Sequence, residues 1–261
     1  MRRVSEVNEL YGGNETLERL QRRDARFFNT CMMATALGAA VSDGLADGRV
    51  VSGVGGQYNF VAMAHALPDA RSVLLLRASR DERGQPASNI RWNYGHATIP
   101  RHLRDVYVTE YGIADLRAKV DEDCVLAMAA VAEAPFQAGL LDEARANRKL
   151  DACFTAPAAW SRNTPERLRA ALAPFRRDGT LPDYPLGSDF TAVEQRVVRA
   201  LQWLKASTAR TPAKLRTLAA ALASGTTDDD EAMQRMQLAA PSGLKERLQA
   251  RLLALALRRT A

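Results

Sequence analysis

Apolar and polar positions change rhythm near the middle of the chain. From Arg26 to about Val108, apolar residues come in short runs broken by turn residues: FFNTCMM, AAVSDGL, GRVVSG, RSVLLLRAS, SNIRWNYG and DVYVTEYG. Short runs rich in β-branched and aromatic residues predict strands. Asp43-Gly44 and Asp47-Gly48 supply turn signals between them. Arg71–Ser79 is apolar enough to predict a strand buried on both faces. NFVAMAHAL (Asn59–Leu67), DCVLAMAAVAE and FQAGLLDEARANRKL have helix-forming composition instead. Strands interleaved with helices predict an α/β unit.

After about Leu150 the period becomes helical. TPERLRAALAPF, DFTAVEQRVVRALQWLK, TPAKLRTLAAALAS and GLKERLQARLLALAL each carry an apolar stripe. Thr164 and Thr211 stand where N-caps belong, each followed by a proline. Asp189 or Thr191 caps the helix bearing Trp203, whose Val197, Val198, Leu201 and Leu204 predict a buried indole. AWSRN and DGTLPDYPLGSD read as loops, and SGTTDDDE as a short acidic loop. The division this predicts is a helical lead-in over residues 1–24, an α/β domain over 25–155 and a helical extension over 156–261.

A chain of 261 residues can bury a sizeable core, and 47% apolar with 25% charged residues is the composition of a globular protein. There is no apolar run of membrane-spanning length, and MRRVSEVNELYGG lacks the apolar stretch of a signal peptide. Cys31, Cys124 and Cys153 form no C-x-x-C, so free thiols in a reducing cytoplasm are expected and a zinc site is not. The net charge of +6 comes without a lysine- or arginine-rich block. Neither nucleic acid nor a membrane is therefore an expected partner, while an anionic ligand is compatible.

Candidate chemistry begins at VVSGVGGQYNF, with Gly53, Gly55 and Gly56 following the valines. A glycine-rich loop leading into a helix can present backbone N–H groups to phosphate or to a developing oxyanion. It can equally be a tight turn, and both readings stay open on this stretch alone. Tyr58 breaks G-x-G-x-x-G and no G-K-[ST] follows, so neither nucleotide fingerprint is met. His65, His96 and His102 lack metal-ligand spacing, and Ser52 stands outside any G-x-S-x-G. Arg101, Arg104 and Arg117 are candidates for phosphate contacts or ion pairs.

The order FFNTCMM, SGVGGQYNF, SNIRWNYG, VTEYGIADLRAK and APFQAGL resembles the C-terminal domain of the acetyl-CoA hydrolase/transferase family, over about Ala25 to Lys149. VTEYGIADLRAK is the most specific part, and the helical tail with YPLGSDFTAVEQ is similar to the extension of longer members. The resemblance implies a CoA-transferase-like α/β half domain with a short sheet and flanking helices. It implies acyl transfer through a glutamyl-CoA intermediate, with coenzyme A as substrate, no metal, and a small carboxylate or water as acceptor. Gly53, Gly55, Gly56 and Gln57 would contact CoA or the oxyanion, Asn29 would orient the reacting group, and Glu110 would be an active-site carboxylate. The family's nucleophilic glutamate would lie ahead of Met1. Glu6, Glu9, Glu15 and Glu18 read as a solvated helix face. The expectation is thus a C-terminal piece, inactive alone, that works with an N-terminal CoA-transferase domain. The alternatives are a non-catalytic CoA-binding module and a split-enzyme subunit.

Overall fold

The computed structural model describes residues 3–10, 13–82, 84–209, 211–225 and 229–260. The chain forms two compact units, Met1–Pro174 and Phe175–Ala261.

In the first unit, α1 (Val4–Asn8) and α2 (Glu15–Gln21) precede β1 (Arg26–Thr30), β2 (Met33–Thr35) and β3 (Ala40–Val41). Then come α3 (Gln57–Ala66), β4 (Arg71–Leu75), β5 (Ser79–Glu82), β6 (Gln85–Ser88), β7 (Ile90–Arg91), β8 (Val106–Thr109) and β9 (Gly112–Asp115). α4 (Asp121–Ala130), α5 (Ala134–Ala146) and most of α6 (Pro165–Arg177) follow. The main sheet runs β1-β4-β8-β9, with β1, β4 and β8 parallel and β9 antiparallel to β8. A parallel pair needs a crossover, and α3 supplies it between β1 and β4. Phe60 of α3 stacks on Phe27 of β1 with ring centroids 5.7 Å apart.

Register decides the faces. Asn29, Leu74, Tyr107 and Ala114 lie across from one another on adjacent strands. Leu74, Tyr107 and Ala114 join the main core with Val61, Cys124, Val125 and Met128. The opposite face carries Phe28, Val73, Val106 and, one pleat on, Thr30, Leu75, Val108 and Ile113. Phe28 is 64% exposed and Ile113 70%. The sheet is therefore well covered on one face and open at the edges of the other. For that reason β4, expected to be buried on both faces, leaves Arg71 and Leu75 only partly buried.

Three local expectations change. GRVVSG is no strand: it makes one antiparallel bridge, Gly44 to Val50, and Val50 and Val51 stay exposed because no strand lies beside them. SNIRWNYG contributes only Ser88, the end of β6, and the two residues of β7. The β5–β6 hairpin is built from polar sequence, and its turn is held by Asp81 accepting from the Gly84 N–H at 2.8 Å. Asn163 donates to the carbonyls of Ala130 and Ala132, tying residues after α5 to the end of α4.

The second unit holds α7 (Ala192–Ser207), α8 (Thr211–Ala223), α9 (Asp230–Arg235) and α10 (Leu244–Thr260). Thr191 and Glu194 cap α7 reciprocally. Val197, Ala200, Ala232, Leu253, Ala256 and Leu257 form its core, with Trp203 partly buried against them and Leu201 42% exposed. The buried stripe thus passes through Ala200 rather than Leu201. Of the stretch expected to be an acidic loop, residues 226–228 lie outside the described residues, and Asp230 and Glu231 begin α9 instead; Asp229 caps that helix by accepting from the Ala232 N–H at 3.2 Å. Among the described residues, no helix is long and apolar enough to cross a membrane.

Candidate active site

The carboxyl ends of β1, β4 and β8 open into a cleft of about 850 Å³, lined by Thr30, Cys31, Leu75, Ser79, Asn89 and Glu110 among others. This volume suits a small organic ligand, and the strand ends of a parallel sheet are where ligands settle in α/β folds.

Glu110 starts the tight turn between β8 and β9. Its Oε2 accepts from the Ala78 N–H at 2.9 Å while the residue itself stays exposed. One carboxylate oxygen is thus anchored on the backbone just beyond β4. Next to Ala78, Ser79 Oγ donates a hydrogen bond to Glu133 Oε2. Glu133 is only 6% exposed and stands at the N-terminus of α5, where the helix favours negative charge. Two carboxylates therefore flank the Ala78–Ser79 dipeptide. Tyr111 follows Glu110, and its phenol is pushed up to about 12, first by burial and then by the negative charges of Glu133, Glu110 and Glu166. It remains a protonated hydroxyl at ordinary pH. Burial pushes the Cys31 thiol up to about 12 as well, so it is a poor nucleophile. Asn89, 5% exposed, donates to the Arg77 carbonyl at 2.9 Å and accepts from Arg80 at 2.8 Å, fixing the chain that carries Ala78.

Of the site residues expected from the sequence, Glu110 lines this cleft, whereas Asn29, Gly53, Gly55, Gly56 and Gln57 do not. Asn29 belongs to β1, one residue before the cleft, on the core-side face; its Nδ2 is buried without a hydrogen-bond partner. Gln57 is buried, and its Nε2 donates to the Thr30 carbonyl at 3.1 Å, joining the first turn of α3 to the cleft wall. Gly53 and Gly55 are exposed, and a Cβ on either would meet nothing within 4 Å. Gly55 has φ +60°, the left-handed conformation the loop requires. A Cβ on Gly56 would meet the Asn8 side chain at 2.6 Å, so α1 lies beside the loop. The sequence reading overlooked Ser79, Asn89 and Glu133. All three lay within quoted stretches, but nothing local marks Ser79 or Glu133, which meet only through the tertiary fold.

Among the described residues, no group of three or more His, Cys, Asp or Glu side chains could hold a metal ion. Ser52 Oγ donates to the Ser42 carbonyl at 2.9 Å, a loop contact. His96 shares Asp43 with Thr98, and these bonds hold the Asp43 carboxyl below its usual range, Thr98 contributing most.

Among solved structures, RipA from Yersinia pestis is 24% identical, over 55% of this chain and 31% of its own, with a TM-score of 0.47. The 4-hydroxybutyrate CoA-transferase from Porphyromonas gingivalis is 23% identical, over 48% of this chain and 27% of its own, with a TM-score of 0.38. The chain thus spans less than a third of either structure. No curated protein matches. The family model for the acetyl-CoA hydrolase/transferase C-terminal domain matches residues 1–144, more than half of the sequence. The chain belongs to the acetyl-CoA hydrolase/transferase C-terminal domain family.

Proposed function

We propose that the cleft receives the thioester end of an acyl-CoA and forms one wall of an acetyl-CoA hydrolase or CoA-transferase site. The observation that carries this reading is Glu110: an exposed carboxylate, anchored through one oxygen to Ala78, at the ends of three parallel strands in a chain of this family. The acyl transfer runs in covalent steps. A glutamate carboxylate attacks the thioester carbonyl, the C–S bond breaks, and CoA leaves as thiolate. The thiolate then attacks the glutamyl carbonyl of the anhydride, giving a glutamyl-CoA thioester and the free acid. Water then attacks the glutamyl carbonyl, releasing CoA and restoring the glutamate; alternatively an acceptor carboxylate displaces CoA thiolate there, and the thiolate attacks the acceptor's carbonyl in the new anhydride, giving the new acyl-CoA and restoring the glutamate. Each step has a lower barrier than direct transfer.

The attacking carboxylate comes, in this reading, from a CoA-transferase domain seated on the sheet face that exposes Phe28 and Ile113. Parallel sheets are normally covered on both faces, which supports a partner there. Glu110 orients the reacting group. Asn29 Nδ2, buried without a partner, is a donor available to a thioester or carboxylate oxygen. Gly53 and Gly55, with room for close approach, face the CoA arm in this reading, while Gly56 packs beside Asn8 and Gln57 supports the loop through the Thr30 carbonyl. Arg77 lines the cleft and is exposed, a suitable fork for an acceptor carboxylate.

Isothermal titration with acetyl-CoA tests the reading. Asn29→Ala and Glu110→Gln, checked by circular dichroism for folding, are each expected to weaken binding at least tenfold. Acetyl-CoA hydrolysis by the chain alone is expected at the buffer rate. Unchanged affinity in both variants, or turnover by the chain alone, would overturn it.

A further inference from the structure

A second concavity, of about 500 Å³, lies at the opposite end of the strands. Its walls are Arg101, His102 and Arg104 ahead of β8, Arg117 and Lys119 in the turn after β9, and His65 near the end of α3. Four permanent cations and two imidazoles line it, with Asp121 as the acid among them.

The nearby acids are already matched. Asp121 accepts from Lys149 at 2.8 Å and lies 3.5 Å from Arg104; Lys149 above all holds its carboxyl below the usual range. Asp115 is bound twice by Arg117, which also lies 3.6 Å from Asp105. Glu122, in the first turn of α4, accepts from the Asp151 N–H at 3.1 Å, and Asp123 follows it there. Lys119 and His102 make no side-chain hydrogen bond or ion pair among the described residues. Arg101 approaches Asp121 only at 3.9 Å and is 59% exposed. Lys119 and His102 are thus left over and Arg101 is held only by a long, exposed ion pair, so donors from two separate segments face one concavity. A carboxylate is satisfied by a single guanidinium fork. Donors spread this way fit a ligand with several charged oxygens, which is the chemistry of phosphate esters and diphosphates.

We propose that this groove binds the phosphate groups of a phosphorylated small molecule through Arg101, His102 and Lys119, with Arg117 as a fourth donor. The inference is independent of the acyl-transfer reading. The phosphates could belong to CoA itself or to a free phosphorylated metabolite. The four residues of β8 separate groove and cleft by about 13 Å, a distance one extended molecule can span.

The probe is pyrophosphate, titrated calorimetrically into the full chain at low ionic strength. Saturable one-to-one binding is expected, weakened at least fivefold by Lys119→Ala, His102→Gln or Arg101→Ala and lost in the triple variant. Added salt is expected to weaken it as exposed charges are screened. CoA that displaces pyrophosphate, while acetyl-pantetheine does not, assigns the site to the phosphates of CoA. Failure of CoA to displace it assigns the site to a free phosphorylated molecule. Absence of saturable pyrophosphate binding, or affinity unchanged in all three variants, would overturn the proposal. Glu110→Gln and Asn29→Ala are expected to leave pyrophosphate binding intact, so the two readings fail separately.

Discussion

The Ser79–Glu133 bond is the most exacting place to test how the cleft is held together. Glu133 is 6% exposed and a partner for its carboxylate is the Ser79 hydroxyl. A hydrogen bond to a charged group contributes about 1.5–3 kcal/mol, and a buried acceptor stripped of its donor costs about 1–3 kcal/mol or more when charged. Ser79→Ala removes one oxygen from a part-buried site and strands the carboxylate, so it is expected to cost about 2–3 kcal/mol. Glu133→Gln keeps an acceptor for the hydroxyl and removes the charge, so it is expected to cost less. In a double-mutant cycle of Ser79→Ala with Glu133→Ala, the coupling is expected at about 1.5–3 kcal/mol.

Urea unfolding followed by tryptophan fluorescence gives these values for the right unit. Trp92 and Trp160 pack on the core of the first unit, whereas Trp203 packs in the second. A Trp203→Phe background therefore reports the first unit alone. Because Ala78 holds Glu110 and adjoins Ser79, Ser79→Ala is also expected to loosen CoA binding more than Glu133→Gln does. A coupling below about 0.5 kcal/mol, the ordinary scatter of additive sites, would refute the idea that this bond organises the cleft.

Two further outcomes follow from the same core. Gly38 has φ +86°, and a Cβ there would stand 2.8 Å from Arg104 Cβ and 2.9 Å from Leu116 Cδ1; Gly38→Ala is expected to cost about 2–4 kcal/mol in urea unfolding, from left-handed strain plus overpacking, and a cost below about 1 kcal/mol would contradict the packing described. Arg117 holds the Asp115 carboxyl down to about 2, chiefly through their side-chain hydrogen bond; a depressed folded-state pKa adds stability above the unfolded value and loses it as pH falls toward 2, so melting curves of the wild type and Arg117→Gln are expected to differ above about pH 5 and to converge near pH 2, and a pH-independent gap would count against the pairing.

Sequence patterning located the elements that make their own signal. The run Arg71–Leu75, the helix after the glycines and the long C-terminal helices stand where composition and period put them. Thr191 is a cap because a hydroxyl three residues before a glutamate satisfies local donors, and that needs no tertiary partner. VVS carries strand propensity too, yet a strand exists only beside another strand, and Val50 finds a single bridge. The hairpin Ser79–Ser88 is polar, so no apolar alternation announces it. The same limit applies to the cleft. Glu110 stands in a recognisable stretch, VTEYGIADLRAK, while Glu133 gains its place only because α5 begins beside Ser79, 54 positions away in the chain.

Asn29 shows how finely the cleft depends on register. With Asn29 opposite Leu74 and Thr30 opposite Leu75, Thr30 lies on the open face and lines the cleft while Asn29 turns toward the core. A shift of one residue would exchange them and turn Phe28 inward, because side chains alternate strictly along a strand. The stacked pair Phe27–Phe60 and the Gln57 bond to the Thr30 carbonyl both oppose that slip. The first fixes the side-chain face of β1, the second its backbone. The register they fix leaves Asn29 Nδ2 buried and unsatisfied, at a cost of about 1–3 kcal/mol. A structural role alone would be better served by an apolar residue at that position, which would remove the cost. Under the proposed function a ligand oxygen would complete the amide's bonds, and the affinity lost in Asn29→Ala is expected to measure that contribution.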